Sequence, residues 1–190
     1  GLYRYDKHLK PVNLNIKGIE EVNGLTVWGM CRLKTEPLIC MVGQPGFIIT
    51  YNEITGETKR FEPAVFNSVT IRQVLQDKFG NMWYGTHHGG LFKGNALTGI
   101  KQMDTGITRF DGIPKTQIRN LIEDHDGNIW VATELYGVYK IDPGSGKILI
   151  HLTEKGDKGH NILSNAVSCL LEYNDSLMII GGGGVNIYNT

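Results

Sequence analysis

The adjacent pair His87-His88 is the first place in this sequence where side chains of the right type could hold a metal or move a proton. Neighbouring residues on an extended chain point to opposite sides, whereas in a turn they converge. A zinc site needs a third ligand, and no second cluster offers one at recognisable spacing. The pair therefore reads as two loop residues. Asp124-His125-Asp126-Gly127-Asn128 resembles a calcium loop on its surface. An EF-hand loop needs an acidic ligand near its twelfth position, which here is Leu135, and a hairpin turn explains the residues without a metal. Gly181-Gly182-Gly183-Gly184 would cradle a phosphate only if a helix followed, and Val185-Asn186-Ile187-Tyr188 reads as a strand. Cys31, Cys40 and Cys169 lack metal spacing; Cys31 and Cys40 could face each other across a hairpin, as a disulfide or, preferably, as buried free thiols. No Ser-His-Asp, Cys-His or paired-carboxylate arrangement stands out, so no catalytic residue, metal ligand or cofactor is assigned.

The bulk of the chain is consistent with a binding role. Of its 190 residues 41% are hydrophobic and 20% charged, with no net charge. That is an ordinary globular composition with room for a substantial core. Scattered, balanced charge argues against a nucleic-acid partner, and no apolar run approaches the ~18 residues of a membrane span. The opening residues Gly1-Leu2-Tyr3-Arg4-Tyr5 read as a strand and not as a leader, as expected of a piece of a longer protein.

The elements that must position any site follow from a repeat. Ile71 to Trp83 recurs 47 residues later as Ile118 to Trp130, and the register holds through Thr86/Thr133, Gly90/Gly137, Lys93/Lys140 and Gly99/Gly146. A period of about 40 to 50 residues built from short strands marks a propeller array. In the unit starting at Ile118 the predicted strands are Ile118 to Glu123, Ile129 to Thr133, Val138 to Asp142 and Lys147 to Leu152. The turns between them carry Gly and Asn or Pro. Trp28 to Leu33, Leu38 to Val42, Gly46 to Tyr51 and Glu57 to Phe61 match the same four strands, with Thr55-Gly56 standing in for Thr98-Gly99. Val167 to Glu172, Leu177 to Ile180 and Val185 to Tyr188 supply three more. The fold class is thus all-β, with propeller blades of four antiparallel strands in about four repeat units. The units fall at 1–23 (partial), 24–66, 67–112, 113–163 and 164–190 (partial), within one segment covering 1–190. Both ends fall inside a blade, which suggests a fragment or open arc of a larger, seven-bladed type propeller.

Asp77-Lys78-Phe79-Gly80-Asn81-Met82-Trp83-Tyr84-Gly85-Thr86 and Asp124-His125-Asp126-Gly127-Asn128-Ile129-Trp130-Val131-Ala132-Thr133, each followed by Gly-Leu/Val-Phe/Tyr-Lys, resemble the two-component regulator propeller repeat. Gly1-Leu2-Tyr3-Arg4-Tyr5-Asp6 resembles the tail of another copy. The unit around Leu38 to Val42 lacks the Asp, Gly, Asn and Trp, and the last unit has Asn174-Asp175-Ser176 instead. WD40 repeats would need Gly-His and Trp-Asp pairs, and the sialidase Asp-box places its Asp one residue nearer the aromatic. The resemblance implies the periplasmic sensor half of a hybrid two-component receptor. It also implies an inner-membrane anchor, a histidine kinase elsewhere in the parent, and a response to oligosaccharides.

Trp83 and Trp130 share a repeat slot and read as packing between blades. Trp28 aligns instead with Arg72 and Arg119, on a first strand facing the propeller channel, where it is either a sugar platform or core. Turns between second and third strands emerge on the same face as the links between blades. In the two best copies the first-to-second turn keeps its Asp, Gly and Asn. The second-to-third turn varies: Gln44-Pro45, His87-His88-Gly89, Glu134-Leu135-Tyr136. Variation in polar and aromatic residues is where recognition can be written. On that face, which also holds Asn67, Thr116 and the stretch 154–165, the candidate ligand residues are His87, His88, Glu134, Tyr136 and Lys115, with Trp28 in the channel. The expected function is non-catalytic sensing. Its partners would be an oligosaccharide-like ligand, the remaining blades and a second copy of the parent receptor, with no membrane insertion by this segment. The alternatives are an interaction or dimerisation scaffold, with an exposed apolar patch, and a polysaccharide-acting enzyme, with paired carboxylates in the channel.

Overall fold

Four antiparallel meanders follow one another along the chain. The computed structural model describes residues 4–12, 17–18, 22, 24–95, 103, 105–157 and 159–190. A two-stranded hairpin comes first, β1 (Arg4–Tyr5) with β2 (Pro11–Val12). The first full sheet is β3 (Thr26–Arg32), β4 (Leu38–Gln44), β5 (Ile48–Asn52) and β6 (Thr58–Phe61), in that order. The second is β7 (Ile71–Gln76), β8 (Met82–Thr86), β9 (Leu91–Gly94) and β10 (Ile107–Arg109). The third is β11 (Ile118–Glu123), β12 (Ile129–Thr133), β13 (Val138–Ile141) and β14 (Ile148–Leu152). A three-stranded sheet closes the order, β15 (Val167–Asn174), β16 (Leu177–Gly182) and β17 (Val185–Asn189). These are propeller blades, as the repeat required. No helix among the described residues is long and apolar enough to cross a membrane. Gly1 to Tyr3 and the turn at Thr98-Gly99 lie outside the described residues.

Strand burial shows how the blades stack. All five residues of β8 and of β12 are buried, while β14, at the edge of its sheet, alternates between exposed and covered. Inner strands sandwiched on both faces carry near-continuous apolar runs, and outer strands with one wet face alternate. Cys40, Val42 and Ile48 of the first sheet meet Val74, Met82 and Tyr84 of the second. Trp83 and Leu91 meet Leu121, Ile129 and Val131 of the third. Trp130 and Val138 meet Leu170, Met178 and Ile180 of the last. First strands lie side by side, β3 on β7, β7 on β11 and β11 on β15. Glycine permits this closeness: a Cβ on Gly29 would stand 2.6 Å from the Arg72 carbonyl oxygen.

The turn shared by the two best repeats is more than a local backbone turn. Asp77 Oδ1 accepts from the amides of Phe79 and Asn81 at 2.9 and 2.8 Å, and Oδ2 accepts from Trp83 Nε1 at 2.8 Å. Asp124 repeats this, accepting from Asn128 N and Trp130 Nε1, each at 2.8 Å. The invariant spacing thus lets one carboxylate satisfy the turn and the indole of a tryptophan that is 0% exposed. Burying such a ring removes on the order of 200 Å² from water, about 5 kcal/mol of driving force. Sugar stacking by Trp83 or Trp130 is excluded. Asp124 also pairs with the buried Lys140 at 2.9 Å, whereas Lys93, in the matching slot, reaches the Pro143 carbonyl at 2.7 Å. Burial raises the Asp124 pKa, but the Trp130, Asn128 and Lys140 hydrogen bonds and the Lys140 charge outweigh it and hold the carboxyl below its usual range.

A second periodic bond fixes each blade to the next. Lys34 N donates to Gln76 Oε1 at 2.5 Å, Lys78 N to Glu123 Oε1 at 2.6 Å and His125 N to Glu172 Oε1 at 3.0 Å. Each acceptor sits near the end of a first strand and reaches back to the first-to-second turn of the preceding sheet. Cys31 and Cys40 are directly opposite in β3 and β4, and both are free thiols. A hydrogen bond donated by the Cys40 thiol to Cys31, together with burial, pushes the Cys40 thiol well up.

Candidate functional site

Every first strand carries a bulge at one equivalent position. The pairing of β3 with β4 skips Trp28, that of β7 with β8 skips Arg72, that of β11 with β12 skips Arg119, and that of β15 with β16 skips Ser168. A bulge leaves one residue unpaired and re-aims its side chain. These four residues line a single cavity of about 160 Å³, together with Gln73 and Gln117. Four sheets thus each contribute one bulged side chain to a common point on the channel side of the blades. Other hollows, against Lys17, Thr55 and Glu57 or against Asn174 to Leu177, show no such convergence of first strands.

Trp28 is 45% exposed, and the Arg72 guanidinium lies 4.3 Å from its ring centroid. The core reading of Trp28 is therefore overturned: the bulge turns the ring out of the sheet. The cation–π contact is worth about 0.5–1 kcal/mol at such exposure, and it holds the ring face beside a cation. Arg119 donates to Glu134 at 2.6 Å, both side chains being 34–35% exposed. Arg72 has no ion-pair partner among the described residues, and the Nε atoms of both arginines are buried without a hydrogen-bond partner.

The rim is built as the turn pattern implied. His87 N donates to Thr70 O at 2.9 Å, and Gly90 N to Thr116 O at 3.1 Å. In the next sheet, Glu134 N donates to Gln117 O at 3.0 Å, and Gly137 N to Asn165 O at 2.9 Å. Second-to-third turns and blade links therefore form one hydrogen-bonded surface over the cavity. The His87 and His88 rings lie 3.8 Å apart, so the turn does bring them together. Among the described residues no three His, Cys, Asp or Glu gather as a metal site. The His87 pKa is lowered, first by desolvation, then by His88 and Arg72; Glu134 opposes and Arg119 adds to the effect.

Of the six residues named from sequence, the structure brings Trp28, Glu134 and His87 to the cavity or its rim, with the His88 ring tilted against that of His87. Tyr136 and Lys115 do not line the cavity. The backbone of Tyr136 is engaged on both sides, its amide by Thr133 Oγ1 at 2.9 Å and its carbonyl by His151 Nε2 at 2.8 Å. Arg72, Arg119, Gln73, Gln117 and Ser168 were not singled out. Their signal was present: Ile71-Arg72-Gln73-Val74 and Ile118-Arg119-Asn120-Leu121 put two consecutive polar residues inside a core strand. Strict alternation allows one. No carboxylate lines the cavity, so the paired acids of a glycosidase do not meet there.

Residues 112–134, which span β11, the Asp124 turn and β12, match the family model of the two component regulator propeller. The repeat is of the two-component regulator propeller type. Similar solved structures include the extracellular domain of the hybrid two component system BT3049 from B. thetaiotaomicron, at 22% identity and TM-score 0.71, over 98% of this chain and 23% of that one. PorZ, a surface component of the type-IX secretion system of Porphyromonas gingivalis, matches at 18% identity and TM-score 0.72, over 99% of this chain and 29% of that one. The computationally designed Ika4 protein matches at 12% identity and TM-score 0.65, over 94% of this chain and 98% of that one. Likeness at these identities speaks for the propeller fold. The chain spans about a quarter of the length of the natural structures, 23% and 29%. No curated protein matches it by sequence.

Proposed function

We propose that this chain is a non-catalytic, ligand-sensing propeller segment of an extracytoplasmic receptor of the hybrid two-component kind, and that its ligand is a carbohydrate. The observation that carries the reading is the cavity where four bulges converge, with the exposed face of Trp28 beside polar donors. A ring face flanked by Arg and Gln donors is suited to a pyranose, which offers an apolar face and a rim of hydroxyls. The family match at 112–134 and the extracellular domain of BT3049 among its structural neighbours support placing it in such a receptor, in the periplasm of a cell whose kinase lies elsewhere in the parent. A cavity of about 160 Å³ is well below the ~300–1,000 Å³ of ligand clefts. It suits one sugar unit, with the remainder of an oligosaccharide lying across the rim at His88 and Glu134. Sensing then passes to the receptor dimer through the blade-to-blade contacts.

Thermal-shift titration of the chain against plant and host oligosaccharides tests this. A bound native state melts higher, by about 2.7 kcal/mol of stabilisation at a hundredfold excess over the dissociation constant. A coherent class of hits that Trp28→Ala removes would support the reading; hits indifferent to Trp28 would move the site away from the cavity.

One observation favours a second reading, an interaction or dimerisation scaffold. On one face of the last sheet Leu171, Ile179 and Ile187 stand in a cross-strand row, with Val185 beside them, and Leu171, Val185 and Ile187 are 58%, 68% and 69% exposed. The corresponding face of the third sheet, with Trp130 and Val138, is covered by the sheet that follows it, so this row marks a contact surface for either a further blade or a second copy. Self-association in sedimentation velocity that Ile187→Lys abolishes would favour it.

A further inference from the structure

We propose that the cavity formed by the bulges is selective for an acidic sugar, with Arg72 and Arg119 holding its carboxylate or sulfate while Trp28 carries the ring face. This rests on the carbohydrate reading above and narrows its class. Two guanidiniums are directed into one cavity that has no carboxylate in its lining. Glu134 engages Arg119 from the rim at 2.6 Å, and Arg72 has a π face as its neighbour but no counter-ion among the described residues. Both Nε atoms are buried, so a ligand oxygen in the cavity would meet the terminal nitrogens of the two guanidiniums. Arginine's planar fork is matched to carboxylate and sulfate oxygens, and such charge-assisted bonds are about twice as strong as neutral ones. A neutral sugar would leave the second positive charge uncompensated. A bare inorganic anion would leave the Trp28 face unused.

The repeat explains how the selectivity arises. The bulge slot holds Trp, Arg, Arg and Ser in successive blades. One backbone device therefore presents four independently variable side chains at one point, two cationic, one aromatic and one a small hydroxyl.

The test is titration calorimetry of the whole chain at low salt with four probes: galacturonate, galactose, galactose 6-sulfate and sodium sulfate. Galacturonate or galactose 6-sulfate should bind at least about tenfold tighter than galactose, since a site built around charged donors rejects the analogue that leaves them unpaired. The tighter of the two identifies the anionic group. Arg72→Gln should remove most of that preference while the chain still melts cooperatively, within a few degrees of the parent. Lys59→Gln, which removes a positive charge from the outer strand β6, should leave it unchanged. Equal binding of galactose and galacturonate would overturn the acidic selectivity while leaving the carbohydrate reading intact. Sodium sulfate binding as tightly as galactose 6-sulfate would reduce the cavity to a bare anion site and overturn the sugar component. Binding of none of the four by a cooperatively folded chain would overturn both.

Discussion

The two ends of a blade solve opposite problems. At the first-to-second turn, Asp77 and Asp124 each spend both carboxylate oxygens on bonds within the blade, down to the indole of a fully buried tryptophan. At the other end, one residue per blade is expelled from the ladder by a bulge, and the Nε atoms of Arg72 and Arg119 are left without partners. Between the two best copies both ends keep their residues, Asp, Gly, Asn and Trp at one and Arg at the other; across all four sheets both change, the bulge slot from Trp to Arg to Ser. Groups that close their own hydrogen bonds stabilise the fold, and groups left open are available to something else.

That contrast can be broken most severely at Asp124. Asp124→Ala should cost about 3–5 kcal/mol in urea unfolding, because it strands the buried Lys140 as well as the turn and the indole. Asp77→Ala removes equivalent hydrogen bonds but leaves Lys93 on the Pro143 carbonyl, so about 1–3 kcal/mol is expected. Equal losses would mean that the Asp124–Lys140 pair adds nothing. The same pair sets an acid limit. The folded pKa of Asp124 lies below its unfolded value, so its contribution is present above the usual carboxylate range and is lost as pH falls through the folded pKa. An acid titration of stability should therefore lose a component in Asp124→Ala.

The bond between blades is a smaller lever. Gln76 serves where Glu123 and Glu172 serve in the other sheets, so the bond to the turn amide needs an acceptor oxygen and not a charge. Glu123 also pairs with the partly exposed Lys34, and Glu172 with His125. Glu123→Gln should leave the urea midpoint nearly unchanged, and Glu123→Ala should lower stability by about 1 kcal/mol. Smaller again are the axial substitutions. Arg72→Gln and Arg119→Gln should each shift stability by no more than ~1 kcal/mol, since the first loses a cation–π contact and the second one partly exposed ion pair. A large loss in either would move these arginines to the architectural side of the comparison. The smallest effect belongs to His125, whose pKa is raised first by its hydrogen bond to Glu172 against a desolvation that lowers it. Its contribution is present below the ordinary histidine pKa and fades as pH rises through the folded value. A slight fall in melting temperature toward neutral pH, absent in His125→Ala, checks it.

Much of the fold was legible because the same local chemistry recurs. In the third sheet the predicted first two strands, Ile118 to Glu123 and Ile129 to Thr133, coincide with β11 and β12, since turn glycines and β-rich runs mark both boundaries. The first sheet was less clear: β3 begins at Thr26, two residues before Trp28, and β4 runs on to Gln44. Bulging at Trp28 breaks the alternation there, and without the Asp and Trp of the repeat nothing in the turn restores the register. His87 and Glu134 were reachable by asking which turn varied. Arg72 and Arg119 were passed over because a polar residue within a first strand looks like drift until the ladder shows it unpaired.

The sequence by itself determined the repeat, the four-strand blade, the turn chemistry and the absence of any local catalytic constellation. All of these depend on residues within one period, whose interactions are short-range. Tertiary structure decided that Trp28, Arg72, Arg119 and Ser168 share one cavity, that Asp124 grips a buried indole and a buried lysine, and that Tyr136 and Lys115 stand outside the cavity. Those facts depend on bulges, which are geometric properties of paired strands, and on the placement of first strands from four separate sheets. One period of sequence contains neither.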